Sequence, residues 1–251
     1  MKQQIGVRAP ARTEALRVEA ITKRFGGLRV FEGISFDVPA GGVLGVIGPN
    51  GAGKTTLINV MSGMLQPSEG RILVGDLNIT GRPCYAVSRL GVVRSFQQTN
   101  TFRTASVGEN LRRAERFSTA QTGPDLAMAD LLDEFGLAPH LDDPSDSLPY
   151  GLQKMLGLVM VLAARPRFVL LDEPAAGLER RERVHVDRFI QHACTTLGCG
   201  VLIVEHDMDL VRRLCPQVVV LEAGRLLAAG APQEVLSRRD VIDAYLGTSE
   251  E

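Results

Sequence analysis

The chain has 251 residues, of which 45% are hydrophobic and 23% charged, and its formal net charge is −1 at pH 7. This length and composition predict a soluble globular protein with a substantial core, and the charge disfavours a strongly basic nucleic-acid binder. The four cysteines form no CxxC pair, so we expect reduced, mostly buried thiols in a cytosolic protein rather than disulfides or a zinc site.

The N-terminal segment, residues 1–15, is polar, lacks the apolar core of a signal peptide and is expected to be flexible. The longest apolar run, residues 155–164, falls well short of the roughly 20 residues that span a bilayer. We therefore expect that the chain does not itself cross a membrane, which leaves a membrane-embedded partner open.

Strand and helix patterns alternate along most of the chain, apart from a largely helical stretch between about 100 and 164. Continuous apolar strands that are each followed by a helix predict a parallel sheet covered on both faces. In chain order we predict strands at 16–25, 30–38 and 42–48, a helix at 53–65, a hairpin at 71–79, helices at 125–137 and 150–166, a strand at 167–174, a helix at 179–198, a strand at 200–206, a helix at 208–215 and strands at 217–230.

A glycine-rich turn, residues 48–55, matches GxxxxGK[ST] at every specified position and lies between a predicted strand and a predicted helix. Glycines let successive N–H groups point at phosphate oxygens, and the helix N-terminus adds its dipole. Lys54 would reach the β and γ phosphates, and the Thr55 hydroxyl would bind Mg²⁺. A turn without a ligand would not explain this agreement of pattern and position. The expected nucleotide contacts are Gly48, Pro49, Asn50, Gly51, Ala52, Gly53, Lys54, Thr55 and Thr56.

Two carboxylates follow a second buried strand, where the apolar residues 168–171 lead directly into Asp172 and Glu173. In a phosphate-binding site of this kind Asp172 would bind Mg²⁺ through water, and Glu173 would orient and deprotonate the attacking water. The alternative is that both carboxylates only solvate a strand end. That alternative is weaker because ligands bind at this edge of parallel sheets.

Taken together, GPNGAGKTT, LPYGLQK, FVLLDEPAAGL and LIVEHDM resemble an ATP-binding cassette (ABC) protein over residues 16–247. KRFGG, DEPAAGL and DVIDAYLG are similar to the ATPase subunits of branched-chain amino acid importers. The resemblance implies an α/β P-loop NTPase (RecA-like) core with an antiparallel β subdomain and a helical insertion subdomain. It divides the chain into a flexible segment (1–15) and a single ABC ATPase domain (16–251), with a nucleotide-binding core (16–97 and 165–230), a helical signature subdomain (98–164) and a C-terminal helical tail (231–251).

The resemblance also implies roles for single residues. Phe25 matches an aromatic that stacks on adenine, with a core phenylalanine at a strand end as the alternative. Gln97, with Gln98 as a less favoured choice, matches a glutamine that reaches Mg²⁺ and the lytic water and signals to the transmembrane subunit. His206 matches a histidine that contacts the γ-phosphate. The implied catalytic residues are Glu173, His206 and Gln97, and the implied metal-binding residues are Thr55, Gln97 and Asp172.

Residues 148–153 align with the family signature Leu-Ser-Gly-Gly-Gln, which contacts the ATP of the opposite subunit. Pro149 replaces the serine and Tyr150 the first glycine, whereas Gly151 keeps the second glycine. Gly151 and Gln153 are the implied nucleotide contacts. We expect a functional but altered half-site. The helix that follows is apolar almost throughout, which is typical of a buried helix; a contact surface for a membrane subunit is the alternative.

The resemblance implies an ATP- and Mg²⁺-dependent subunit of an amino acid importer, peripheral on the cytoplasmic face of the inner membrane. Its implied partners are a second cassette arranged head to tail (a copy or a paralogue), separate permease subunits and, indirectly, a periplasmic or extracellular substrate-binding protein, but no nucleic acid. Two alternatives stay open: a soluble ABC ATPase not coupled to transport, and a nucleotide-dependent binding module with little hydrolysis. Branched-chain amino acids are the favoured substrate; urea, short amides and other small polar solutes remain possible.

Overall fold

A computed structural model describes residues 15–95, 101–116 and 128–246 of the chain. Most of the predicted flexible segment and residues 247–251 of the predicted tail lie outside these ranges. The elements are β1 (Ala15–Phe25), β2 (Leu28–Pro39), β3 (Val43–Ile47), α1 (Lys54–Met61), β4 (Glu69–Val74), β5 (Leu77–Asn78), α2 (Cys84–Arg89), β6 (Val92–Arg94), α3 (Val107–Glu115), α4 (Met128–Glu134), α5 (Tyr150–Ala163), β7 (Phe168–Asp172), α6 (Arg183–Thr195), β8 (Gly200–Val204), α7 (Met208–Leu214), β9 (Gln217–Glu222), β10 (Arg225–Gly230), α8 (Pro232–Val235) and α9 (Arg239–Leu246).

The N-terminal part forms an antiparallel sheet with the strand order β2-β1-β4-β5. A tight turn joins β1 to β2, so that Phe25 pairs with Leu28 at one end and Leu16 with Val38 at the other. Along β2, Ile34, Phe36 and Val38 are buried and the residues between them are not, as expected for a sheet with one face on the core; β1 departs from this alternation where its register shifts. The predicted strands and hairpin of this region are confirmed.

A second sheet has the order β10-β9-β3-β8-β7-β6, in which all neighbours are parallel except the β9–β10 pair at one edge. Every residue of β3, β7 and β8 is buried. Along β3, Val43 and Ile47 join a core cluster shared with the helices, whereas Leu44 and Val46 join a cluster shared with the antiparallel sheet. Because both faces are covered, these strands are continuous apolar runs, and the predicted parallel sheet is confirmed.

Helix α5 packs against α3, α4 and α6. Eight of its residues are buried, which confirms the interpretation as a buried helix. Sequence reasoning missed α2 and β6. It placed α3 within a largely helical stretch but gave it no bounds, although α3 carries a local start signal: the Ser106 side chain accepts a hydrogen bond from the Glu109 N–H, three residues on. Helix α6 begins at Arg183 and not at residue 179 as predicted, because residues 173–182 form turns after β7.

The cysteines are free thiols, as expected. Cys199 and Cys215 are buried, Cys194 is half-buried, and Cys84 is exposed. Burial raises the pKa of the Cys199 and Cys215 thiols to about 12, so these two side chains behave as small apolar groups in the core.

Candidate active site

The carboxyl ends of β3, β7 and β8 lie side by side and bring three distant parts of the sequence together. Val46 and Asp172 both pair with Val204, the last residue of β8. The glycine-rich turn follows β3, Glu173 follows β7, and His206 lies two residues after β8. The sheet topology therefore places most of the predicted site residues along one edge.

The glycine-rich turn has a backbone that only glycine tolerates at its start. Gly48 has a φ of 150°, and a Cβ at this position would lie 2.1 Å from the carbonyl oxygen of Leu221. At the other end of the turn, Gly53 has a φ of 96° and precedes α1 without a side-chain cap. The first N–H groups of α1 consequently have no capping side chain, which is the arrangement used to bind phosphate.

Lys54 lies folded over its own turn. Its Nζ donates hydrogen bonds to the carbonyl oxygens of Gly48, at 2.7 Å, and Pro49, at 2.9 Å. Burial lowers the pKa of Lys54, whereas the nearby negative charges of Glu173 and Asp172 raise it. A cation thus lies among the backbone groups that were predicted to surround the phosphates.

Asp172 is 1% exposed and forms an ion pair with Arg94, whose Nη2 lies 2.9 Å from Asp172 Oδ2. Burial raises the pKa of Asp172, and the Arg94 guanidinium lowers it. The other oxygen, Oδ1, is buried and receives no hydrogen bond from any part of the chain that the structure describes. Sequence reasoning missed Arg94, which reaches Asp172 because β6 pairs with β7.

The donor set fits Mg²⁺. This ion prefers oxygen ligands and is commonly held by one or two carboxylates together with substrate phosphates. The buried Asp172 Oδ1 and the exposed residue Thr55, in the first turn of α1, offer such oxygens. Among the described residues no group of three or more His, Cys, Asp or Glu could hold a metal alone. Gln97 and Gln98 lie outside the described residues.

Glu173 has a left-handed backbone with a φ of 48°, and its N–H donates to the Val204 carbonyl at 2.9 Å. Its partly exposed carboxylate lies 3.6 Å from His206, measured from Oε1 to Nδ1. Non-glycine residues in this conformation are strained by about 1–3 kcal/mol and cluster at functional sites. The two residues predicted to act on the terminal phosphate and its water are therefore neighbours.

Phe25, at the end of β1, is 46% exposed. The alternative interpretation as a core phenylalanine is therefore wrong. Lys23 Nζ lies 4.5 Å from the centroid of the Phe25 ring, a cation–π contact that sequence reasoning did not predict. The exposed ring remains suited to stacking on a base, and its role stays a prediction.

The signature segment starts α5 and lies beside residues that follow β7, although Tyr150 itself is 49% exposed. Tyr150 lies against Gly177, where a Cβ would be 3.0 Å from the tyrosine ring. Gly151 faces Glu182, whose Oε1 would be 2.2 Å from a Cβ at Gly151. Gln153 Nε2 donates to the Leu148 carbonyl oxygen at 2.8 Å. Its amide is thus bound to the loop that precedes its own helix.

Two models of known protein families match this chain. A family model described as ABC transporter matches residues 31–176, more than half of the chain. The chain belongs to the ABC transporter family. A second model, described as Branched-chain amino acid ATP-binding cassette transporter, matches residues 225–251.

Individual ABC proteins are similar along nearly the whole chain. The high-affinity branched-chain amino acid transport ATP-binding protein LivG of Escherichia coli K12 is 34% identical, over 92% of this chain and 97% of LivG. The lipopolysaccharide export system ATP-binding protein LptB of the same strain is 33% identical, with the same two coverages. The ADP conformation of MJ1267, an ATP-binding cassette of an ABC transporter, is 29% identical with a TM-score of 0.81, covering 93% of this chain and 99% of that one.

These likenesses confirm the predicted family and the P-loop NTPase fold. ABC cassettes are ATPases, and this chain is accordingly a nucleotide-binding enzyme that hydrolyses ATP. No helix in the described ranges is both long and apolar enough to cross a bilayer.

Proposed function

We propose that this ABC ATPase powers the uptake of amino acids, branched-chain ones foremost, through separate permease subunits. The observation that carries this assignment is the match of residues 225–251 to the branched-chain amino acid model, a segment that includes α8 and α9. The similarity to LivG supports it. LptB, which is named for lipopolysaccharide export, is nearly as similar, so the identity of the solute and the direction of transport depend on the C-terminal match.

In the proposed mechanism, the N–H groups of the glycine-rich turn and of the first turn of α1 bind the phosphates. Lys54 exchanges its bonds to the Gly48 and Pro49 carbonyls for the β and γ phosphates. Glu173 accepts a proton from the attacking water, and His206, 3.6 Å away, contacts the γ-phosphate. The closeness of Glu173 and His206 supports these two roles.

Thr55, Asp172 and Gln97 are the residues that would hold Mg²⁺, which neutralises developing phosphate charge when bound. The buried, unpartnered Oδ1 of Asp172 supports this assignment. Arg94 remains on Oδ2, where its guanidinium lowers the pKa of Asp172 and so favours the ionised carboxylate against the effect of burial. The exposed ring of Phe25 would stack on adenine.

We further propose that two cassettes pair head to tail, each sealing the other's nucleotide with Gly151 and Gln153. The partner is a copy of this chain or a paralogue. Closure on ATP and opening after hydrolysis would drive the permease, with a periplasmic or extracellular substrate-binding protein delivering the solute. This arrangement places the chain at the cytoplasmic face of the inner membrane, bound through the permease.

Transport is tested by co-expressing the chain with the permease genes of its own genome and reconstituting the purified complex in vesicles. ATP-dependent accumulation of labelled leucine is expected, and the Glu173→Gln complex serves as the assembled but inactive control. Accumulation of urea, an amide or another small solute in place of leucine would correct the substrate. ATPase activity without any permease association would favour a soluble ATPase, and ATP binding without turnover would favour a binding module.

A further inference from the structure

Lys154 is a buried cation in the otherwise apolar helix α5, and it is 6% exposed. Its Nζ donates a hydrogen bond to the carbonyl oxygen of Ala176 and lies 3.5 Å from that of Glu173. Both carbonyls belong to the turn that follows β7. One side chain of the signature helix therefore holds the main chain of the proposed catalytic base.

Glu205 is a second buried charge, 2% exposed, between β8 and His206. Its Oε1 accepts a hydrogen bond from the Ala175 N–H at 3.2 Å. Its Oε2 accepts from the N–H groups of His206, at 3.2 Å, and Asp207, at 3.5 Å. A single carboxylate thus joins the turn after β7 to the turn that carries His206.

The negative charge of Glu205 also acts on Lys154. Burial lowers the pKa of Lys154, and the attraction of Glu205, followed by that of Glu173, raises it. Burial raises the pKa of Glu205, and its three backbone N–H donors lower it. Buried charges contribute little net stability, which favours a role in fixing a particular geometry over a role in folding alone.

We propose that Lys154 and Glu205 are positioning residues that hold Glu173 and His206 in their reactive arrangement and connect both to the signature helix. This inference rests on the proposed roles of Glu173 and His206. The left-handed backbone of Glu173, with a φ of 48°, requires support from its surroundings. Lys154 binds the turn at the Glu173 and Ala176 carbonyls, and Glu205 binds it between them, at the Ala175 N–H. Movement of α5 would reach the base through Lys154 without any contact of Lys154 with ATP.

The first test compares Lys154→Met, Lys154→Arg and Glu205→Gln by steady-state kinetics and by ATP affinity. For Lys154→Met we expect kcat to fall by about 10²-fold, the loss typical of a misplaced reacting group, with little change in ATP affinity. Lys154→Arg keeps a cation that can donate to both carbonyls and should restore most of kcat. Glu205→Gln should lower kcat strongly, because both carboxylate oxygens accept N–H bonds and an amide can accept on only one side.

Arg17→Met is the matched control. Arg17 is also a cation that donates to a main-chain carbonyl, that of Gly75 at 2.7 Å, but it lies in β1, outside the proposed site. This variant should lose stability without loss of kcat. Deuterium exchange adds a readout that does not depend on activity. The amides of Glu173, Ala175 and Ala176 and of residues 205–207 should exchange faster in Lys154→Met and Glu205→Gln, and at the wild-type rate in Arg17→Met.

Wild-type kcat and wild-type exchange in both Lys154→Met and Glu205→Gln would overturn the inference. Should Lys154→Met fail to fold, Glu205→Gln decides alone, since it conserves size. Glu173→Gln, measured in parallel, distinguishes failure of the proposed base from failure of the positioning role. If Glu173→Gln turns over like wild type, the proposed role of Glu173 fails; if it is inactive while the Lys154 and Glu205 variants are normal, only the positioning role fails.

Discussion

The glycine-rich turn and the signature segment both place glycine at the start of a helix, but they present opposite charges there. At the turn, the amino group of Lys54 lies on the carbonyls of Gly48 and Pro49. At the signature, the carboxylate of Glu182 lies against Gly151 in the first turn of α5. The glycine-rich turn presents a cation that can attract an anionic ligand, whereas the signature segment already lies against a carboxylate of its own chain. This difference supports the proposal that the signature surface acts only when a partner's nucleotide arrives.

Gly48 in the glycine-rich turn and Gly151 in the signature segment also differ in what surrounds them. The nearest atom to a Cβ at Gly48 would be a main-chain oxygen, which cannot move without displacing β9. The nearest atom to a Cβ at Gly151 would be Oε1 at the end of the Glu182 side chain, whose Oε2 accepts a hydrogen bond from the Glu179 N–H at 2.8 Å and which can move without displacing a strand. The backbone at Gly48 therefore leaves no room for a side chain, whereas a side chain at Gly151 can be accommodated by movement of Glu182.

The largest effect is expected beside the turn, at Glu173. Glu173→Gln should leave ATP binding intact and slow turnover by at least about 10²-fold, because the carboxylate that takes the proton from water is replaced by an amide. Phosphate release and ATP binding, measured on the same preparation, check both halves of this statement. Unchanged turnover would rule out Glu173 as the base.

The second-largest effect is expected when the cation is removed from the glycine-rich turn. Lys54→Ala should weaken ATP binding by roughly 1.5–3 kcal/mol, the range for a hydrogen bond to a charged group. Calorimetric titration measures this difference directly. Wild-type affinity in the variant would contradict the claim that the turn is arranged for phosphate around Lys54.

The two glycines can be compared by the same substitution. Gly48→Ala should lower the free energy of unfolding by about 1–3 kcal/mol, as expected for overpacking against fixed atoms. Gly151→Ala should change it by no more than about 0.5 kcal/mol, because Glu182 can turn away. Urea denaturation of both variants tests the contrast, and equal losses would show that the signature surface is as rigid as the turn.

The smallest effect concerns the charge at the signature. Glu182→Gln should strengthen ATP-dependent self-association by about 0.3–1 kcal/mol, since an anion is removed from a helix start that must meet phosphate. Sedimentation of Glu173→Gln chains, with and without the second change, measures it at low salt. Weaker association would mean that the Glu182 carboxylate assists the pairing instead of opposing it.

Much of this protein was predictable because its features depend on neighbouring residues. The phosphate-binding turn has its pattern within residues 48–55, and the continuous apolar runs of β3, β7 and β8 indicated a sheet buried on both faces. The family resemblance added His206, and the structure places it beside Glu173. The roles of these site residues, like the domain boundaries, stay predictions.

The buried charges were not predictable. Arg94 pairs with Asp172 across 78 positions of the sequence, and Lys154 and Glu205 meet the turn after β7 from two different elements. By itself, the sequence determined which local segments could bind phosphate and which strands would be buried, because backbone conformation and apolar patterning are local properties. Only the tertiary structure decided which charges face each other, because that depends on how α5, β6 and β8 pack around β7.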